Sequence, residues 1–560
     1  MRIHILTAVF CGIVLVAARA AVSGNLDIKK LPEEEQALAN TVDPWGLAFS
    51  DQLARFQRHF GNSTNVSFVA GYTHSLVKVW RNKYWFRGAE VIAPGAAKET
   101  KPLWGTAGSV VSFQVAILPN TGAKACRYQV VAQSPVPTRV FREEFIKLGS
   151  APYPRFESAY WPDPLVLTND CELSGIWAGV FLVEAAIPAD FGQSGFKVEV
   201  RVAADGGNQA AFMVPVELVK LKPEPPDFHL VAWFNKGKLS DGRFDAMCDL
   251  ALEHHLEPLA QSELTALWST NSPDQFEQRV QSLMKNGQRI FQINKPARAL
   301  YDFLVKKGWL DRFMIYSNAD EPAESTFHAK NIPYAQDMRT NFPGLKIFLA
   351  SEFYPNMSAG CDIWLTDLSR ANYDPRSFVP PVKPQLWHYY CHLPVNWQMR
   401  APLTMAPNMQ IDNDALEHRL ALWMSWHYKA KGALIWAGNS EWNHLVTNFW
   451  SCLDLSGNEY RTSYKFPYGG IHHGNGNLMY PPRTPDGEPI PSLRLKVLRD
   501  GMQDIALFES AVREYGSKVQ AFVAPVPAVF QHPHYYDRLP ETLLNKREAL
   551  LRRIRELEER

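Results

Sequence analysis

From residue 227 onward, short apolar runs of strand length alternate with helix-length amphipathic segments, and this alternation restricts the fold more than any other feature. The strands predicted from it are 229–234, 256–261, 289–293, 313–317, 346–351, 363–366, 384–390 and 433–436. Helical patterns separate most of them, notably 241–255, 273–286 and 414–431. Eight β units over about 280 residues fit a (β/α)8 TIM-like barrel. The stretch between 352 and 363 is short for a full helix, so one unit is expected to be degenerate.

Before the barrel the text is different. From 66 to 221, β-rich runs follow one another with Gly, Pro and Asn between them and no helical periods, as in an antiparallel β-sandwich. Lys222-Pro-Glu-Pro-Pro226 reads as a stiff linker. The barrel domain is expected over 227–515, closed by a long helix entered at Pro491-Ser492. Residues 21–65 read as a polar lead-in, and 516–560 as a C-terminal helical tail. Residues 1–20 have the form of a secretory signal peptide. Arg2 and His4 precede an apolar run from Ile5 to Val16, and Ala18-Arg19-Ala20 offers small residues for cleavage. That run is short for a bilayer and no later stretch qualifies, so the mature chain is expected to be exported, secreted or periplasmic, without a membrane span.

Without Arg2 and Arg19, 56 basic side chains face 57 acidic ones, a formal charge of −1 with neutral histidine. No basic tract stands out, which argues against nucleic acid as partner. Six cysteines remain, none in CxxC spacing, so neither a zinc cluster nor any other metal or cofactor is expected. Export permits disulfides, and six cysteines allow fifteen full pairings. No Walker loop, GxGxxG, HExxH or GxSxG occurs in suitable context.

The chemistry points to Asp320-Glu321-Pro322, at the close of the apolar run Phe313-Met-Ile-Tyr316. Reactive groups of (β/α)8 enzymes lie at the C-terminal ends of strands, and paired carboxylates suit proton transfer during cleavage of a glycosidic bond. Neighbours on a regular strand point to opposite faces. Asp320 and Glu321 can therefore serve one pocket only if the strand has ended or bulged there. Pro322 favours this, having no N–H for the ladder and restricting the residue before it. The plainer reading of the same residues is an acidic N-cap opening a helix over 324–339.

Aromatic content is concentrated further on, with eight of the seventeen tryptophans between 361 and 450. Two clusters, 386–394 and 435–443, fall at the ends of the seventh and eighth strands. Aromatic faces beside amides and carboxylates suit a sugar, whose C–H face stacks while its hydroxyls hydrogen-bond. Trp387, Tyr389, Trp436, Asn439 and Trp442 are the candidate substrate-binding residues, and a glycan or glycoconjugate is the expected partner. Trp423 and Trp426 lie on a helix and are expected to fill the core. His472-His473, in a Gly/Asn-rich loop, is the remaining pair that could reach substrate.

Several segments together resemble glycoside hydrolase family 123 and the uncharacterised proteins sharing its barrel domain. Tyr160-Trp-Pro-Asp-Pro-Leu165 is similar to an aromatic-Pro-Asp-Pro-Leu segment of the family, and Tyr316 to Pro322 to its strand ending in Asp-Glu-Pro. Trp387-His-Tyr-Tyr-Cys-His-Leu-Pro394 resembles its Trp-rich segment with Cys and Pro. Gly476-Asn-Leu-Met-Tyr-Pro481 and Pro491-Ser-Leu-Arg494 through Arg499-Asp-Gly-Met-Gln-Asp504 resemble its closing signature. The departures are Ala319, where many relatives carry a bulky hydrophobic residue, and His388 within the aromatic run. The resemblance implies a β-N-acetylgalactosaminidase using substrate-assisted retention. Glu321 would be the acid/base and Asp320 would orient the substrate's acetamido group. A neighbouring anion and a partly dry pocket would then favour a protonated Glu321.

Two other readings stay open. In the first, Glu321 is the acid/base of an ordinary retaining glycosidase, with Glu352 or Glu441 as nucleophile, which requires carboxyl groups about 5–5.5 Å apart. In the second, the chain is an exported glycan-binding protein with a decayed barrel.

Overall fold

The computed structural model describes residues 32–60, 66–147, 160–368, 384–391, 406–439, 474–482, 487–525 and 528–560, apart from Pro44, Lys238, Thr270, Asn271 and Asn475. Residues 1–20, Glu441, Trp442, Cys452 and His472-His473 lie outside them.

The first domain is two six-stranded sheets packed face to face. Strand Gly195–Ala204 shows why. Phe196, Val198, Val200 and Val202 are buried, while Lys197, Glu199 and Arg201 between them face outward, so one face joins the core. The long pairings are antiparallel, as expected, but the short strands Ala97–Glu99 and Leu103–Thr106 run parallel to Gln209–Val219. In the opposite sheet, Val110–Pro119 is buried on both sides. Phe113, Val115 and Ile117 enter the inter-sheet core, while Ala116 and Leu118 meet Phe49, Leu53 and Phe56 of helix Phe49–Arg58. That helix lies in the stretch read as a polar lead-in. Its apolar residues at 49, 53 and 56 form one helical stripe, too short to stand out in a mixed sequence.

The second domain is built on eight parallel strands: β1 His229–Trp233, β2 Glu257–Leu259, β3 Phe291–Ile293, β4 Phe313–Tyr316, β5 Lys346–Ala350, β6 Ile363–Thr366, β7 Gln385–Tyr390 and β8 Gly432–Ile435. Hydrogen-bonded order runs β2-β1-β8-β7-β6-β5-β4-β3, so β1 pairs with β8 and the barrel is closed except for a seam between β2 and β3. Observed strands match the predicted ones to within two residues, save that Gln261 opens a helix, Gln261–Ser269, where strand was expected to continue. The unit after β5 is the degenerate one, with only the four-residue helix Met357–Gly360.

Three helices tie the domains together: α1 Ala415–His427, α2 Leu493–Tyr515 and α3 Pro540–Glu558. α2 is buried on nearly all sides, between sandwich and barrel. The charged side chains it brings inside are therefore paired. Glu184 of the sandwich meets Lys496 at 2.9 Å, Arg139 at 3.2 Å and Arg499. Burial alone would raise the Glu184 carboxyl, but Arg499, Lys496 and Arg139 outweigh it and hold its pKa below the usual range. α3 is no loose tail. Leu543, Leu550, Leu551 and Ile554 are buried in the barrel-side core, each contributing about 2 kcal/mol. Arg547 pairs with Asp504 of α2, and Glu558 accepts from the backbone N–H groups of Lys220 and Leu221, at the start of the linker.

Candidate active site

Side chains inside the barrel are stacked in layers, and β7 shows their order. Positions 387 and 389 point inward, while His388 and Tyr390 point outward onto α1, where they bond Ser425 and the Ala421 carbonyl. Trp387 fills the lower layer. It is 1% exposed and stacks on His229 of β1, with ring centroids 5.5 Å apart. Beneath it, Glu257 accepts from His229 at 2.8 Å and pairs with Arg289 at 3.0 Å. This plugs the end where the strands begin, so Trp387 is a core residue and not a lining of the pocket. Alternate registers of one aromatic run differ in depth by a full layer, which composition does not reveal.

The upper layer is made by Trp233, Tyr316 and Tyr389, the inward residues closing β1, β4 and β7. Trp233 meets both tyrosines edge-on, at 5.7 and 6.2 Å, and its Nε1 donates to Gln292 at 2.7 Å. Tyr389 therefore stands in the upper layer, at the mouth of the barrel. Trp233, Tyr316 and Gln292 were missed. Trp233 and Tyr316 carry only the signal of their position at strand ends, Gln292 is the middle residue of β3, and each is embedded in an apolar run that reads as core.

Asp320 and Glu321 stand above this layer. β4 ends at Tyr316, four residues before Asp320, so the alternation of strand faces does not apply to the pair. Both carboxylates are exposed, and neither is sealed in packing. The Tyr316 hydroxyl donates to Asp320 Oδ1 and accepts from the Ala350 N–H at 3.2 Å. Burial raises the Tyr316 and Tyr389 phenols, and the charges of Asp320 and Glu321 raise both further. Glu321 adopts φ +38°, a left-handed conformation that costs a non-glycine residue about 1–2 kcal/mol. It is followed by buried Pro322, whose carbonyl accepts from the Tyr354 hydroxyl at 2.6 Å. No acidic N-cap forms: the next helix starts at Glu324, capped by no side chain.

Trp436, half-buried just past β8, lines a cavity of about 250 Å³ with Trp233, Asn235, Gln261 and Asn439. Asn439 borders that cavity, but its amide is occupied. Its Oδ1 accepts from the Asn235 N–H at 2.9 Å and its Nδ2 donates to the Asn235 carbonyl at 2.7 Å. It fastens the loop after β8 to the loop after β1, and at 1% exposure it is buried at the cavity wall. Glu352 is exposed just beyond β5. Among the described residues no group of three His, Cys, Asp or Glu side chains could hold a metal ion. Among the described residues Cys126, Cys171, Cys248 and Cys361 are free thiols, and no described helix is long and apolar enough to cross a membrane.

Residues 258–511, from β2 through most of α2, match the family model "Glycoside hydrolase 123, catalytic domain". Over those residues the chain carries a glycoside hydrolase family 123 catalytic domain. A family 123 glycoside hydrolase from Clostridium perfringens, solved in a study of glycolipid glycan hydrolysis, superposes with a TM-score of 0.61 at 11% identity, covering 88% of this chain and 98% of that one. The likeness extends through the sandwich, so the two-domain fold is shared. A GH5 xyloglucanase from Bacteroides ovatus aligns at 8% identity over 72% of this chain and 98% of its own, with a TM-score of 0.21. A β-glucuronidase from Bacteroides uniformis aligns at 9% over 59% and 44%, with a TM-score of 0.24. No curated protein matches. As a family 123 glycoside hydrolase domain, the barrel carries its acid pair beyond the C-terminal end of β4, over an aromatic floor.

Proposed function

We propose that the chain is an exported glycosidase that removes β-linked N-acetylgalactosamine, or another N-acetylhexosamine, by substrate-assisted retention. Glu321, as the acid, gives its proton to the glycosidic oxygen while the bond from that oxygen to C1 breaks. The substrate's acetamido oxygen forms the new bond to C1, giving an oxazolinium ion. Asp320 accepts from the acetamido N–H and stabilises the positive charge gathering there. Glu321, now a carboxylate, takes a proton from water as that water attacks C1 and the ring opens, so the configuration is retained. This is the known exception to the scheme with an enzymic nucleophile.

The observation that carries the reading is the exposed pair just beyond β4, with Asp320 accepting from the Tyr316 hydroxyl of the aromatic floor. Holding the internal nucleophile in line would supply proximity worth several orders of magnitude in rate. The charged Tyr316–Asp320 contact keeps one acid fixed beside the other. The leader at 1–20 is what supports export.

The test is hydrolysis of aryl N-acetyl-β-galactosaminide beside its gluco epimer and a 2-hydroxy analogue. Only the 2-acetamido sugars should turn over, with inhibition by a thiazoline mimic of the oxazolinium. Covalent labelling by a 2-fluoro glycoside would reject the mechanism. Binding of the oligosaccharide without hydrolysis over long incubation would reject activity altogether.

A further inference from the structure

Six residues beyond Glu321 the helix that follows β4 widens. Over Phe327–Asn331 it makes a π-turn before resuming as Ile332–Asn341. π-Turns have poorer hydrogen-bond geometry than the helices they interrupt, and they recur at functional sites. This one turns Asn331 back toward the end of β4. Asn331 is fully buried, and its Nδ2 donates to Ser317 Oγ at 2.8 Å and to the Ala319 carbonyl at 3.0 Å. Its Oδ1 has no hydrogen-bond partner among the described residues. A buried amide left half-satisfied on an irregular helix is not what stability alone would select.

The consequence falls on Glu321. Its left-handed backbone is bracketed by two fixed carbonyls, Ala319 held by Asn331 and Pro322 held by Tyr354. Conformations of this kind persist only where the surroundings over-determine them. We propose that Asn331 is a positioning residue, whose amide fixes the 317–319 backbone so that the Glu321 carboxyl is aimed at the glycosidic oxygen. The inference rests on the reading of Glu321 as the acid. Without the clamp the turn relaxes and the proton donor drifts, while the aromatic floor and Asp320 keep their own supports.

The test uses the full mature chain and a series of aryl N-acetyl-β-galactosaminides whose phenols differ in acidity. For Asn331→Ala, kcat/KM should fall at least about tenfold on the poorest leaving group, yet within about threefold on 2,4-dinitrophenolate, which needs little protonation. KM should stay within about twofold, because sugar contacts are untouched. Ser317→Ala removes one of the two amide contacts in a fold-safe way and should show the same trend at reduced size. Equal losses across the series, or none in both variants, overturn the positioning role. Glu321→Gln on the same series separates the two failures. A steep Glu321→Gln series beside flat Asn331→Ala and Ser317→Ala series sinks the inference alone. A flat Glu321→Gln series sinks the acid assignment and the inference with it.

Discussion

Asp163 of the sandwich and Arg494 in the first turn of α2 form an ion pair in which both side chains are fully buried, with Nη2 and Oδ2 2.8 Å apart. The guanidinium spends its remaining N–H groups on the carbonyls of Met409, Gly474 and Asn477, and Tyr480 donates its hydroxyl to the same carboxylate. Asn477 in turn bridges Asn439, the residue that fastens the loop after β8. The motifs 160–165, 476–481 and 491–494 are therefore one inter-domain latch. Removing one partner strands a buried charge, so Asp163→Ala or Arg494→Met should each cost about 3–5 kcal/mol in urea unfolding. The double variant should cost clearly less than the two losses added together. Strict additivity would mean that the ions do not depend on each other.

Tyr316 supports Asp320 from below while accepting from the Ala350 N–H. Tyr316→Phe keeps the ring against Trp233 and Phe348 but removes the hydroxyl. A hydrogen bond to a charged group contributes about 1.5–3 kcal/mol, so kcat should drop about 10- to 100-fold. The loss should be the same for good and poor leaving groups, since the acid is untouched. A kcat within twofold of the parent enzyme would show that Asp320 needs no such support.

Trp387 and Trp436 look alike in sequence and differ in place. Trp387→Ala empties a packed barrel layer and should cost about 3–5 kcal/mol of stability. Trp436→Ala, at the half-buried cavity wall, should leave the melting temperature nearly unchanged and raise KM about tenfold, the size of a lost aromatic contact. Denaturation and initial-rate measurements on both variants check this. An exchange of the two phenotypes would contradict the layering.

The barrel was legible because its strands are continuous apolar runs and helices such as Pro273–Lys285 and Arg298–Lys307 are amphipathic, two periods that a sequence states directly. The acid pair drew notice by its place just after an apolar strand, although that strand ends at Tyr316, six residues before Pro322. What was not legible depends on tertiary depth. Trp387 and Tyr389 share a face and differ by one layer, and no local pattern says which layer is the mouth. Asn439 has the chemistry of a sugar ligand, but it is buried and its amide ties down the Asn235 backbone, a partner 204 residues away. Helix Phe49–Arg58 was hidden because a three-residue stripe needs the sheet beneath it to become a signal. Tyr316 and Trp233 read as core because they are core on one side and floor on the other.

Glu143 is 2% exposed on strand Thr138–Lys147, at a break in register, and neither carboxyl oxygen has a hydrogen-bond partner among the described residues. Burial pushes its pKa up to about 8. Lys78 opposes that shift and Asp163 adds to it. In the unfolded chain the same group titrates near 4.5. Between those values the folded protein keeps a proton that the unfolded chain has released, so Glu143 makes stability fall as pH rises from about 4.5 to about 8. Below that window both states are protonated, and above it both are ionised, so the slope vanishes at either end. Glu143→Gln keeps the shape without the titration. Relative to the parent protein it should gain on the order of a few kcal/mol on going from pH 5 to pH 8, by urea unfolding at both. Lys78, whose own pKa burial lowers to about 8, titrates at the upper edge and in the opposite sense, its folded form losing a proton before the unfolded one. Its contribution therefore rises above pH 8, outside the compared interval. A Glu143→Gln protein with the parent's pH dependence over pH 5–8 would show that the carboxyl is ionised in the fold, with Lys78 as its counter-ion.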